Sequence, residues 1–112
     1  MKDSKIYLKH ILESIEMIEY FTKGLNKKEF LDKPEKQDAV VRRIEIIGEA
    51  VKNIPISLKH KHSEISWREI AGTRDVLIHS YFSVDYDLVW NIVRKDLPRL
   101  KKAIQRILDN SN

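Results

Sequence analysis

The chain has no cysteine, and among its 112 residues only three are glycine and three proline. The missing cysteine removes disulfides, thiolate catalysis and every zinc site built on sulfur. Scarce glycine and proline exclude a fold rich in tight turns and favour long helices. No apolar run approaches the roughly 18 residues of a membrane span. The start, Met1-Lys2-Asp3-Ser4-Lys5, leads into a charged amphipathic segment with none of the apolar core of a signal peptide. A soluble cytoplasmic protein with no membrane partner is expected. Phosphate-cradling loops are missing too, since neither G-x-G-x-x-G nor G-x-x-x-x-G-K-[ST] occurs, and there is no G-x-S-x-G nucleophile turn. Strand-type alternation, internal repeats, linkers and low-complexity segments are equally absent.

What is present is charge: 34% of the residues are charged and the net charge is +4. The length allows one domain, residues 1–112, with one core. A modest positive charge is compatible with binding an anion such as RNA, though many basic proteins bind none. Two basic clusters, Lys59-His60-Lys61-His62 and Arg99-Leu100-Lys101-Lys102, are short and read as solvated faces.

The apolar spacing predicts helices throughout. The first runs from about Ser4 to Lys23, with Asp3 or Ser4 as cap, Gly24 as stop, and a stripe of Tyr7, Ile11, Ile15 (or Met17) and Ile18. A short turn follows around Lys27 to Leu31. The second long helix starts near Pro34 and ends at Pro55, with Val40, Ile44, Ile47, Val51 and Ile54 on its buried line. Ser57 to His62 is one loose turn. Ser66 and Glu69 form an S-x-x-E capping box that opens the third helix, which frays near Phe82-Ser83. The last helix runs from about Asp85 to Leu108, with Val89, Val93, Leu97, Leu100, Ile104 and Ile107 buried and a kink at Pro98. Each stripe buries one face, so the helices must pack on one another, and an all-α antiparallel bundle of four to five helices, up-down in topology, is the simplest solution. Val41, Ile46 and Ile92 lie off the stripes and leave room for dimerisation.

Chemistry concentrates in Arg74-Asp75-Val76-Leu77-Ile78-His79-Ser80-Tyr81. On a helix Arg74 and Tyr81 fall on nearly one line, and Asp75 and His79 form an i,i+4 pair. Spacing alone leaves two readings open. In one, Arg74 pairs with Asp75 or Glu69, His79 is a half-buried satisfied histidine and Tyr81 is core. In the other, His79 moves a proton, the Arg74 fork holds a phosphate and Asp75 orients the imidazole, a set suited to cleaving RNA with the ribose 2′-hydroxyl as nucleophile and no metal. One histidine cannot easily be acid and base at once, so two copies across a symmetric dimer would divide the roles. Other titratable groups are weaker candidates. His60 and His62 sit in a lysine-rich loop without a carboxylate cluster and read as surface rather than metal ligands. His10 reads as structural or exposed. Glu45 and Glu49, near Arg42 and Arg43, read as an intrahelical ion-pair face.

Arg74-x4-His79-x-Tyr81 resembles the R-x4-H-x-Y signature of the HepT-like toxins within the HEPN superfamily. The surroundings agree. Arg43-Ile44-Glu45-Ile46-Ile47-Gly48-Glu49-Ala50 is similar to the second-helix segment, and Trp67-Arg68-Glu69-Ile70-Ala71-Gly72-Thr73 to the lead-in. Asp85 to Trp90 and Asp96-Leu97-Pro98 are similar to the last helix. The resemblance implies a dimerising helical bundle whose two motifs face a shared cleft. It implies a metal-independent endoribonuclease toxin that needs no cofactor, with Arg74 and His79 catalytic and Asp75 supporting them. It also implies a nucleotidyltransferase antitoxin as partner, which places AMP on Tyr81 and thereby occupies the arginine and fills the cleft. Two other classes stay open: a non-enzymatic nucleotide-binding or scaffold partner of a nucleotidyltransferase, and a plain nucleic-acid-binding bundle. The second is disfavoured by basic residues spread among acids rather than gathered on one stripe.

Overall fold

The computed structural model describes the backbone of residues 2–79 and 84–110 and the side chains of residues 5–73 and 84–110. Helix α1 spans Lys2–Thr22. It begins ahead of the expected start, so Asp3 and Ser4 lie within its first turn rather than capping it. Gly24, at φ +76°, ends it in the left-handed region that glycine enters without a Cβ clash. Helix α2, Lys27–Leu31, is opened by a complete capping box. The Asn26 side chain accepts the Glu29 N–H at 2.8 Å, and the Asn26 N–H donates to Glu29 Oε1 at 3.0 Å. Helix α3, Pro34–Lys52, carries proline in its first turn, where the missing N–H would have had no helical partner. The buried Gln37 amide donates to the carbonyls of Phe30 and Leu31 at 3.1 and 3.0 Å and so satisfies the end of α2. Helix α4, Ile56–Lys61, follows Pro55, and α5 spans Trp67–His79. Helix α6, Tyr86–Asn91, is capped by Asp85, whose carboxylate accepts the Leu88 N–H at 3.1 Å.

Pro98 does not break the last helix. A π-helical segment, Ile92–Asp96, joins α6 to α7, Leu97–Asn110. The Leu97 N–H reaches back to the Ile92 carbonyl, five residues rather than four. Pro98 has no N–H to donate, and its ring crowds the carbonyl four residues earlier in a regular helix. One widened turn absorbs both problems just ahead of Pro98, where the sequence predicts a kink.

Among the described residues the chain is helical with no strand, and its buried side chains form one cluster. Helix α3 packs on both α1 and α5, and α7 returns against α1. The stripes expected on α3 and on the last helix are buried in full. On α1, Ile11, Ile15 and Ile18 are buried, but Leu8 takes the place expected of Tyr7, which is half-buried like Met17. Ile92 belongs to the core and is not free to pair with another chain.

Two further contacts close the bundle. Phe30 is fully buried, and its ring centroid lies 5.2 Å from that of Trp90, fastening α2 to α6. The Arg94 guanidinium sits 5.5 Å from the Trp90 ring centre. Lys27 also meets Asp87 at 2.6 Å, but both side chains are more than half exposed, so the pair is worth at most about 1 kcal/mol and the aromatic contact dominates. Lys101 binds Glu19 at 2.8 Å and ties α7 to α1.

Candidate functional site

Helix α5 is anchored at its start. Trp67 is buried, and its indole N–H donates to the His62 carbonyl at 3.1 Å, clasping the α4–α5 connection. The Ser66 carbonyl accepts the Ile70 N–H at 3.1 Å, so the helix begins where the S-x-x-E pattern put it. From this fixed start α5 carries the backbone of Arg74, Asp75 and His79 in its second half. Their side chains, and Tyr81 entirely, lie outside the described residues. The structure therefore places Arg74 and His79 on one helix, about 7.5 Å apart along its axis.

Beside α5 runs a groove of about 800 Å³, bounded by α3, α5, the π-helical segment and α7. Ile44, Ile47, Ile70, Leu97 and Leu100 are among the aliphatic residues of its floor. Its α5 wall includes Glu69, Gly72 and Thr73 and so runs up to the residue before Arg74. The Thr73 hydroxyl donates to the Glu69 carbonyl at 3.0 Å, which fixes that side chain against the helix. The opposite wall carries Arg99, Lys102 and Arg106, all exposed and all on α7 at spacings of three and four. The sequence suggested that basic residues were not gathered on one stripe; here three of them are. The signal was present in the spacing, but in the run Arg99-Leu100-Lys101-Lys102 only the first and last residues share that face, and Lys101 turns away to Glu19.

Gly72 has nothing within 4 Å of where a Cβ would stand. Its lack of a side chain is therefore not required by packing within the chain. Gly72→Ala should raise stability by about 0.5–1 kcal/mol through helix propensity. Thermal melts check this, and a drop in Tm would mean that the helix at Gly72 is not as described.

The remaining titratable candidates lie elsewhere. Tyr7, His10, Arg42, Glu45, Glu49 and Asn53 line a smaller cleft of about 350 Å³ between α1 and α3. His10 is exposed, with its ring edge-on to Tyr7 at 6.4 Å. His60 is exposed at the end of α4, and His62 Nδ1 stands 3.8 Å from Glu64. Among the described residues no three histidine or carboxylate groups come together as a metal site. Among the described residues no helix is long and apolar enough to cross a membrane.

Residues 11–107 match the family described as Ribonuclease HepT-like, a span that includes the whole Arg74 to Tyr81 motif. The chain belongs to that family. Relatives of this HepT-like chain agree. A protein of Caldanaerobacter subterraneus named as a candidate RNase is 45% identical over 108 residues, 96% of each chain. One of Thermococcus cleftensis, named probable ribonuclease HepT, is 47% identical over 106 residues, 95% of this chain and 96% of that one. One of Methanocaldococcus jannaschii, named gamma-glutamylcyclotransferase and candidate RNase, is 53% identical over 108 residues, 96% of this chain. The HepT-like chain spans only 49% of the length of that last relative. No solved structure gives a significant match.

Proposed function

We propose that this HepT-like chain is a metal-independent endoribonuclease toxin whose site is built from Arg74 and His79 of two copies. The observation that carries the reading is the Arg74-x4-His79-x-Tyr81 motif on and just beyond α5, inside the span matched to the ribonuclease family. The chemistry balances without a metal. A base takes the proton of the ribose 2′-hydroxyl, the 2′-oxygen attacks phosphorus, and the bond to the 5′-oxygen breaks. An acid returns a proton to that oxygen, leaving a 2′,3′-cyclic phosphate and a 5′-hydroxyl. His79 serves as base in one copy and as acid in the other, with Asp75 orienting each ring, while Arg74 neutralises charge growing on the phosphoryl oxygens. A symmetric pair supplies both histidines to one scissile bond.

Silencing follows from the same geometry. A nucleotidyltransferase antitoxin transfers AMP from ATP to Tyr81: the phenol oxygen attacks the α-phosphorus, pyrophosphate leaves and the phenol proton is released. The added phosphate then competes for Arg74.

The test is cleavage of total cellular RNA in EDTA by the wild type, by Arg74→Ala, by His79→Ala and by a mixture of the two variants. Wild-type cleavage in the chelator, loss in each variant and no recovery on mixing are expected, because a mixed dimer keeps one His79 where the reaction uses two. Full dependence on Mg²⁺ would contradict the metal-free mechanism. Wild-type-like cleavage by mixed dimers would remove the two-histidine site.

A further inference from the structure

We infer that Arg99, Lys102 and Arg106 form the phosphate-binding wall of a track that carries single-stranded RNA along the groove to the Arg74 end of α5. The inference deepens the ribonuclease reading and rests on it for the identity of the strand. Three observations carry it. The three cations stand on one wall of the groove, and none has an ion-pair partner among the described residues. Of the residues between them, Leu100 turns down into the groove floor and the core and Lys101 turns to Glu19, so the three cations share one exposed face of α7. Among the described residues the groove also reaches Gly72 and Thr73 on the α5 side, the residues leading directly into Arg74.

The rest of the lining sets the strand's orientation. Glu64 and Glu69 lie on the α5 side and Asp96 at the head of α7, so phosphates are repelled there and drawn to the α7 wall. Arg99 to Arg106 covers about 10 Å of helix, long enough to meet more than one phosphate of an extended strand. With the backbone held on α7, the bases lie across the aliphatic floor. An A-form duplex offers its phosphates and 2′-hydroxyls outward and would leave that floor bare, whereas the splayed bases of a single strand cover it.

A 12-nucleotide RNA made entirely with 2′-O-methyl ribose separates binding from cleavage, because it has no nucleophile. Its affinity for the full chain is measured by fluorescence anisotropy across a salt series. The variant Arg99→Glu/Lys102→Glu/Arg106→Glu is compared with Lys9→Glu/Lys23→Glu/Lys28→Glu, which changes net charge equally at exposed positions outside the groove. The groove variant should bind on the order of 100-fold more weakly, with its salt slope reduced by about 2, and the control should change only about 3-fold or less. Equal losses in the two variants would overturn the track in favour of net charge alone. So would a groove variant whose mass by light scattering falls from dimer to monomer, because the wall would then belong to an interface between copies. If the wild type binds the oligomer through the three cations but cuts no RNA, the ribonuclease reading fails and the track stands. If it cuts RNA while the groove variant binds and cuts like the wild type, the track alone fails.

Discussion

Replacing His79 by alanine should lower the rate of RNA cleavage by about 10²–10⁴-fold, the range that a lost general acid or base removes. Helical circular dichroism, measured alongside, separates lost chemistry from lost fold and should be retained. The expected pattern is loss of kcat with binding of a 2′-O-methyl oligomer retained, since the imidazole acts on protons and not on the strand as a whole. Arg74→Lys sharpens the result. Lysine keeps the charge but offers a point donor where arginine offers a planar fork, so this variant should also be strongly impaired. Retention of full activity by either variant, in a preparation free of wild-type protein, would sink the assignment of the motif as the catalytic centre.

The second large effect is structural. Phe30→Ala should destabilise the fold by about 3–5 kcal/mol, read from urea unfolding. Phe30 is fully buried and meets Trp90 at 5.2 Å between ring centroids, on a helix of only five residues. So short a helix has almost no stability of its own, and its hold on the molecule is this side chain, the capping box and the Gln37 bonds to its last carbonyls. Removing the ring leaves a cavity that five residues of helix cannot close. The exposed Lys27–Asp87 pair between the same elements supplies the comparison, because Lys27→Ala should cost well under about 1 kcal/mol. A loss below about 1 kcal/mol for Phe30→Ala would show that α2 is held mainly by polar contacts.

The long helices were legible because their apolar residues recur in steps of three and four, and that periodicity survives folding unchanged. Every stripe residue expected on α3 is buried, and the Lys27 to Leu31 turn has the bounds of α2. Finer features were less visible. Asn26-x-x-Glu29 is as good a capping signal as Ser66-x-x-Glu69, but it precedes a helix too short to show a stripe. Leu8 and Tyr7 are adjacent, and a one-residue choice of face depends on how α3 sits against α1. The Arg74-x4-His79-x-Tyr81 motif was readable as a pattern of residue types, whereas the groove that reaches Thr73 was not. Its walls come from α3, α5 and α7, far apart in the chain, and no local period records which faces meet.

The π-helical segment is the phase setter of the C-terminal helix. A regular α-helix turns about 100° per residue, so the one extra residue held in Ile92–Asp96 fixes the angular offset between α6 and α7. Upstream of it Trp90 faces Phe30; downstream Leu100 and Ile104 face the core while Arg99, Lys102 and Arg106 face the groove. Deleting a single residue from the regular part of α7 would rotate everything beyond it by about 100° and carry the aliphatic stripe out of register with α1. Deleting one from the π-helical turn would instead return that turn to α geometry, keep the phase of both flanks and press the Pro98 ring on the carbonyl four residues earlier. This one turn is therefore the place in the C-terminal helix where a residue can be lost without changing which face meets the core, a tolerance otherwise confined to the connections before α2 or α4.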